Sequence, residues 1–182
     1  TKPDRAKQAL RNWRTRIGRE KAQQITTDAS RRGTSLHAAI ACFLKEQKIP
    51  EDLEDNLYWR SIFPVLERVD RVHLVESAVY HRDCKYAGIF DCLGEWEGKL
   101  CLFDWKTASQ PKKLEWIDDY CLQVTAYIAA INNLYNVRIT QGIVAIALKD
   151  FPAQIFHLNS QLLDYYWGQF LARLKLWKEA RN

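Results

Sequence analysis

With 182 residues and 47% hydrophobic content, the chain is long enough to bury a sizeable core as one domain. Its longest apolar stretch, Gly142 to Leu148, has the length of a strand and is too short to cross a membrane as a helix. The formal charge of +5 is unevenly spread: Thr1 to Arg32 hold 10 Lys or Arg against 3 acids, a net of +7, which leaves −2 for the remainder. Five cysteines, Cys42, Cys84, Cys92, Cys101 and Cys121, form no CxxC pair, and their odd number argues against a disulfide framework and for a reducing, intracellular compartment. The chain starts at Thr1 and has no methionine, so it is expected to be a processed or truncated piece, which leaves localisation open.

Asp4 to Gln24 and Ser30 to Gln47 are predicted helices, separated by the turn-like Thr26-Thr27-Asp28. Lys48 to Asp55, with Pro50 and several acids, is a predicted loop. Leu57 to Val69 has apolar residues at helical intervals, with a bend expected near Pro64. Strands are predicted at His73 to His81, Tyr86 to Trp96 and Lys99 to Lys106. After the Gln110-Pro111-Lys112 loop, Leu114 to Leu134 is a predicted helix, Val137 to Leu148 and Ala153 to His157 are strands, and Ser160 begins a terminal helix that runs to Lys178. This order implies an α/β core with a central mixed sheet flanked by helices and preceded by a helical N-terminal segment.

The strand from Lys99 ends in Asp104-Trp105-Lys106. If Glu97-Gly98 is the tip of a tight turn, Trp96 faces Lys99 and counting back sets Asp91 opposite Asp104, with Cβ atoms roughly 5 Å apart. A three-residue loop with a bulge would instead set Asp91 against Phe103. Two opposed carboxylates repel unless a cation or a shared proton neutralises them. Lys106, two residues beyond Asp104, shares its face, and Trp105 points to the other. The plainer alternative is an ordinary hairpin with solvated charges at its end; Leu100, Leu102 and Phe103 weigh against it, because they imply a strand buried on both faces.

Further residues occur in order around this hairpin. Gly33 to His37 reads GxxxH at the start of a helical stretch, Glu76 sits in Leu74-Val75-Glu76, Gly88 to Asp91 reads GxxD, and Gln123 to Tyr127 reads QxxxY. The set resembles the RecB-type branch of the PD-(D/E)xK nuclease superfamily, and within it the mitochondrial genome maintenance exonuclease family with its bacterial and phage relatives. Trp13-Arg14 followed by Arg32-Gly33-Thr34 is similar to that family's N-terminal helical segment. A lone DxK is weak, whereas five ordered elements are strong.

The resemblance implies a restriction-endonuclease-like core and a single nuclease domain over 1–182, with a mainly helical basic arm and GxxxH helix in 1–71 and a catalytic core in 72–182. It implies that His37, Asp91, Asp104 and the Trp105 backbone carbonyl bind one or two divalent ions, Mg²⁺ or Mn²⁺, with Glu76 a further candidate ligand. Lys106 would activate the attacking water or stabilise charge on the scissile phosphate, and Gln123 and Tyr127 would lie near the substrate phosphates. Read as residues alone, His37 also suits a packed or capping histidine beside Leu36, Ile40 and Phe43, and Trp116 and Tyr120 suit an aromatic core stripe. No cysteine follows Cys121, so the iron–sulfur cluster of some RecB-type nucleases is not expected.

Arg11, Arg14 and Arg16 around Trp13 suit a phosphate backbone with an aromatic platform, or equally a solvated helix face with Trp13 packed inward. The expected activity is hydrolysis of phosphodiester bonds in single-stranded DNA or DNA ends, as an exonuclease. A flap or structure-specific endonuclease, or a nucleic-acid-binding module with a decayed centre, is the alternative. No GxxxxGK[ST] loop is present, so no nucleotide cofactor is expected, and neither is a membrane partner.

Overall fold

The computed structural model describes residues 2–49 and 53–181, with the backbone alone for residues 2–7. The middle of the expected loop, Pro50 to Asp52, lies outside the described residues. Two compact units divide between Ser35 and Leu36. The first contains α1 (Lys2–Ile17) and the beginning of α2 (Arg19–Glu46). The break between these helices falls at Gly18, not at Thr26-Thr27-Asp28. Gly18 has a φ of +86°, a conformation that glycine adopts without a Cβ clash. The Thr26 hydroxyl donates to the Ala22 carbonyl at 2.9 Å, a bond that lets a threonine remain within a helix.

The second unit runs on from Leu36 and is built around a five-stranded sheet in the order β1-β2-β3-β4-β5. After α3 (Leu57–Leu66) come β1 (Val72–His81), β2 (Tyr86–Trp96) and β3 (Lys99–Ala108) as an antiparallel meander. A 3₁₀ turn (Leu114–Trp116) and α4 (Asp118–Tyr135) then cross over to β4 (Gly142–Leu148), which runs parallel to β3; β5 (Gln154–Leu158) pairs antiparallel with β4, and α5 (Ser160–Glu179) closes the chain. This mixed sheet with flanking helices is the expected fold class.

Alternation along the central strands sorts the core into two layers. Leu102 and Ala108 of β3 and Val144, Ile146 and Leu148 of β4 pack with α4 and α5. Phe103, Trp105, Ile143, Ala145 and Ala147 pack with α3 and with Leu36, Ile40, Phe43 and Leu44 of α2. Every residue of β4 is buried, which is why its sequence is one continuous apolar run.

Three further boundaries differ from expectation, each for a local reason. Pro64 falls in the last turn of α3, which ends at Leu66 and not at Val69. The helix expected from Leu114 is interrupted at Ile117 (φ −112°, ψ 17°), and α4 restarts with Asp118 and Asp119 in its first turn, where carboxylates suit the helix dipole. Residues 137–141 are not strand: Asn136 ends α4 at φ 53°, and the Asn132 side chain accepts from the Ile139 amide and donates to its carbonyl. As expected, α5 begins at Ser160; Asn159 caps it, its side chain accepting from the Leu162 amide at 3.0 Å.

Candidate active site

Glu97 and Gly98 both lie at positive φ, 53° and 72°, the type I′ geometry that matches the twist of a two-residue hairpin. The pairing therefore starts at Trp96–Lys99 and continues to Cys92–Phe103, the register that points Asp91 at Asp104. There the ladder between β2 and β3 stops, while β3 stays paired with β4 as far as Ala108 and β2 stays paired with β1 as far as Tyr86. Across this parting the Asp91 carboxylate accepts from the Trp105 backbone amide at 2.8 Å, a side chain standing in for a missing ladder bond. On the other side of Asp91 the ladder with β1 skips a step at Glu76, which lies in the left-handed region at φ 46°, a costly conformation for a residue with a side chain.

Four expected residues meet here. The Lys106 ammonium lies 2.7 Å from the Asp104 carboxylate, donating to Oδ1; Asp104 is 1% exposed, and its Oδ2 has no hydrogen bond although it too is 2.7 Å from Nζ. His37 Nδ1 is 3.4 Å from Asp91 Oδ1. Burial pushes the Asp104 carboxyl up to about 6, and repulsion from Asp91 adds to this, against the opposing pull of Lys106 and His37. His37 is raised above its usual 6.5, first by its hydrogen bond to Asp91 and also by a hydrogen bond to the Trp105 backbone, with burial and Lys106 opposing.

The second pair of motifs interlocks. Gln123 Nε2 lies 3.4 Å from the Tyr127 hydroxyl on α4. A Cβ at Gly88 would come within 2.5 Å of the Tyr127 ring, so the glycine of GxxD is the space that admits the tyrosine of QxxxY. One turn before Gln123, the Tyr120 ring centre is 5.3 Å from Lys106 Nζ. Tyr120 thus touches the site as well as the core layer, a role that its helical spacing from Gln123 signals only in part. Trp116, expected in a core stripe, is instead 59% exposed. The distortion at Glu76 has no signal in the sequence, because glutamate marks no turn.

Glu76 pairs with Lys45 at 3.8 Å, both about half-exposed, on a strand at the edge of the sheet. In the first unit, Arg11, Arg14 and Arg16 on α1 are exposed and Trp13 is half-buried.

Among the described residues no three His, Cys, Asp or Glu side chains are grouped so as to hold a metal ion. The donors are engaged with one another, Lys106 on Asp104 and His37 on Asp91. Their chemistry still fits a hard divalent cation: two carboxylates, an imidazole, a backbone carbonyl, and in Asp104 Oδ2 a buried acceptor without a hydrogen bond.

Comparison with known proteins adds an independent observation. The chain is 32% identical to mitochondrial genome maintenance exonuclease 1 of Homo sapiens over 95% of its length, and 33% identical to that of Mus musculus over 95%. The chain is a relative of these exonucleases. It spans about half of their length, 54% in each case. The Xenopus tropicalis exonuclease of the same name is 32% identical over 95% of the chain and 53% of its own length. No family model matches. Among solved structures, SSO0001 aligns over 87% of this chain and 69% of its own, at 13% identity and a TM-score of 0.44. A chain from Eubacterium rectale, itself only provisionally designated an exonuclease, aligns over 90% and 55% at 11% identity and the same score. Likeness that distant carries no argument, and the weight rests on the exonucleases.

Proposed function

We propose that the chain is a divalent-metal-dependent nuclease that hydrolyses phosphodiester bonds of single-stranded DNA or DNA ends, as an exonuclease. The observation that carries this reading is the convergence of Lys106 and Asp104 at 2.7 Å with Asp91 and His37 at the place where two strands part. The name shared by relatives over nearly the whole chain supports it.

His37, Asp91, Asp104 and the Trp105 carbonyl would hold Mg²⁺ or Mn²⁺, which when bound supplies Lewis acidity toward a phosphodiester oxygen and lowers the pKa of water. The remaining work belongs to the chain. Asp104, whose carboxyl burial pushes up to about 6, is the anionic donor above that pH. Lys106 presents an ammonium where charge develops, orienting the attacking water and stabilising the phosphate oxygens in the transition state. Tyr120 walls the Lys106 ammonium on the α4 side, and Gln123 and Tyr127 stand further along that helix, where an entering strand would lie. The basic α1 supplies phosphate contacts to single-stranded DNA.

The test is a strand-degradation assay with opposite end labels in Mg²⁺ and Mn²⁺, run beside a circular single strand. Stepwise release of nucleotides from linear strands in either ion, with the circle spared, is the expected result. Cutting of the circle would make the protein an endonuclease, and no cleavage in either ion would overturn the nuclease reading.

A further inference from the structure

Along α4 from Lys106 the second unit contains an open cavity of about 400 Å³ whose walls include Tyr86, Tyr127, Phe170, Leu122, Gln123 and Arg173. Its rings are held in place. The Tyr86 hydroxyl donates to the Ala126 carbonyl at 2.8 Å, the Tyr86 and Phe170 rings meet edge to face at 4.9 Å, and Tyr127 is seated against Gly88. Arg173 is tied to Asp119 at 2.6 Å.

We infer that this cavity receives a nucleobase of the strand being hydrolysed, next to the nucleotide whose phosphate is attacked. The inference rests on the nuclease reading and adds a subsite to it. Continuity with the cluster is the first argument: Tyr120 touches Lys106 at 5.3 Å, and Gln123 follows three residues later, about 4.5 Å along the helix axis. A strand whose phosphate lies at Lys106 therefore has its adjoining base within reach of the cavity. Chemistry is the second argument. Fixed aromatic rings offer stacking that tolerates any base, and the Gln123 amide offers both a donor and an acceptor to a base edge, its link to Tyr127 being long at 3.4 Å. An apolar peptide would use the rings but leave this amide unanswered.

The experiment is single-turnover cleavage of end-labelled single strands, each with one abasic nucleotide at a different position, by the wild-type protein and by Phe170→Ala and Phe170→Tyr. The expected pattern is a slowing of about tenfold confined to bonds at one fixed spacing from the abasic nucleotide. Phe170→Ala should cut intact strands more slowly and lose this positional effect, while Phe170→Tyr, which keeps a ring, should retain it. If the wild-type ladder shows no positional dependence, or if Phe170→Ala preserves it, the cavity does not hold a base and the nuclease reading stands. If intact strands are not cut at all, the nuclease reading fails and this inference fails with it.

Discussion

Asp104 carries an unfavourable charge. Its folded-state pKa is raised from 3.8 to about 6, mainly by burial, so the folded protein binds this proton more tightly than the unfolded chain. The associated stability is fully present below about pH 4 and is lost as pH rises toward 6. His37, raised above 6.5, acts with the same sign at higher pH, its contribution being lost as pH rises through the folded value. Asp104→Asn should therefore melt higher than wild type in metal-free buffer at pH 7, with the gap closing toward pH 4; a gap that does not vary with pH would show that the carboxylate is not destabilising. The same variant should abolish cleavage and lose the rise in Tm that saturating Mn²⁺ is expected to give the wild type by mass action, and Asp91→Ala should lose both as well. Lys106→Met should lower kcat by orders of magnitude with little change in strand affinity. It also strips a buried carboxylate of its cation, a change that is strongly destabilising where the remaining charge cannot be relieved. Its metal-free Tm should therefore fall, which thermal melting beside the kinetics would show; a raised KM with unchanged kcat would make Lys106 a phosphate anchor.

At the scale of elements, Gly88 packs directly against Tyr127. Gly88→Ala should cost about 1–3 kcal/mol, the usual range for overpacking, and reduce cleavage by displacing the ring. Adding Tyr127→Leu should restore the denaturation midpoint but not activity; if Gly88→Ala alone is neutral in both, β2 and α4 are not packed as described. The hairpin was legible in the sequence because a two-residue turn leaves one register, and Glu97-Gly98 is such a turn. The continuous run Gly142 to Leu148 was legible because a strand buried on both faces has no polar side. Residues 137–141 were not, since Val137 and Ile139 look strand-like while the backbone of Ile139 is claimed by Asn132, a contact that exists only after α4 has formed. Thr26-Thr27-Asp28 misled for the opposite reason: residues with turn chemistry can be held inside a long helix by back-bonding. Motif order singled out His37, Asp91, Asp104 and Lys106, which the structure brings into contact as His37 with Asp91 and Lys106 with Asp104, whereas the distortion at Glu76 had no local signature.

At the scale of the whole molecule, charge is divided between the units, and this gives the strand-binding reading of α1 its test. Replacing Arg11, Arg14 and Arg16 together by alanine should flatten the salt dependence of single-strand binding by about 0.7 for every phosphate no longer neutralised and leave single-turnover cleavage of saturating strand nearly unchanged. Wild-type affinity and slope in the triple variant would make this face merely solvated. The parting of β2 from β3 has a different consequence. Because the Trp105 amide is tied to a carboxylate of the other strand and not to a backbone carbonyl, its proton senses whatever happens to Asp91. In a nitrogen-labelled sample that single amide resonance should move when Asp91 gains a cation, while the neighbouring amide of Phe103, inside the paired segment, stays still. The sheet thus contains its own spectroscopic gauge of the site, readable without DNA and before any bond is cut.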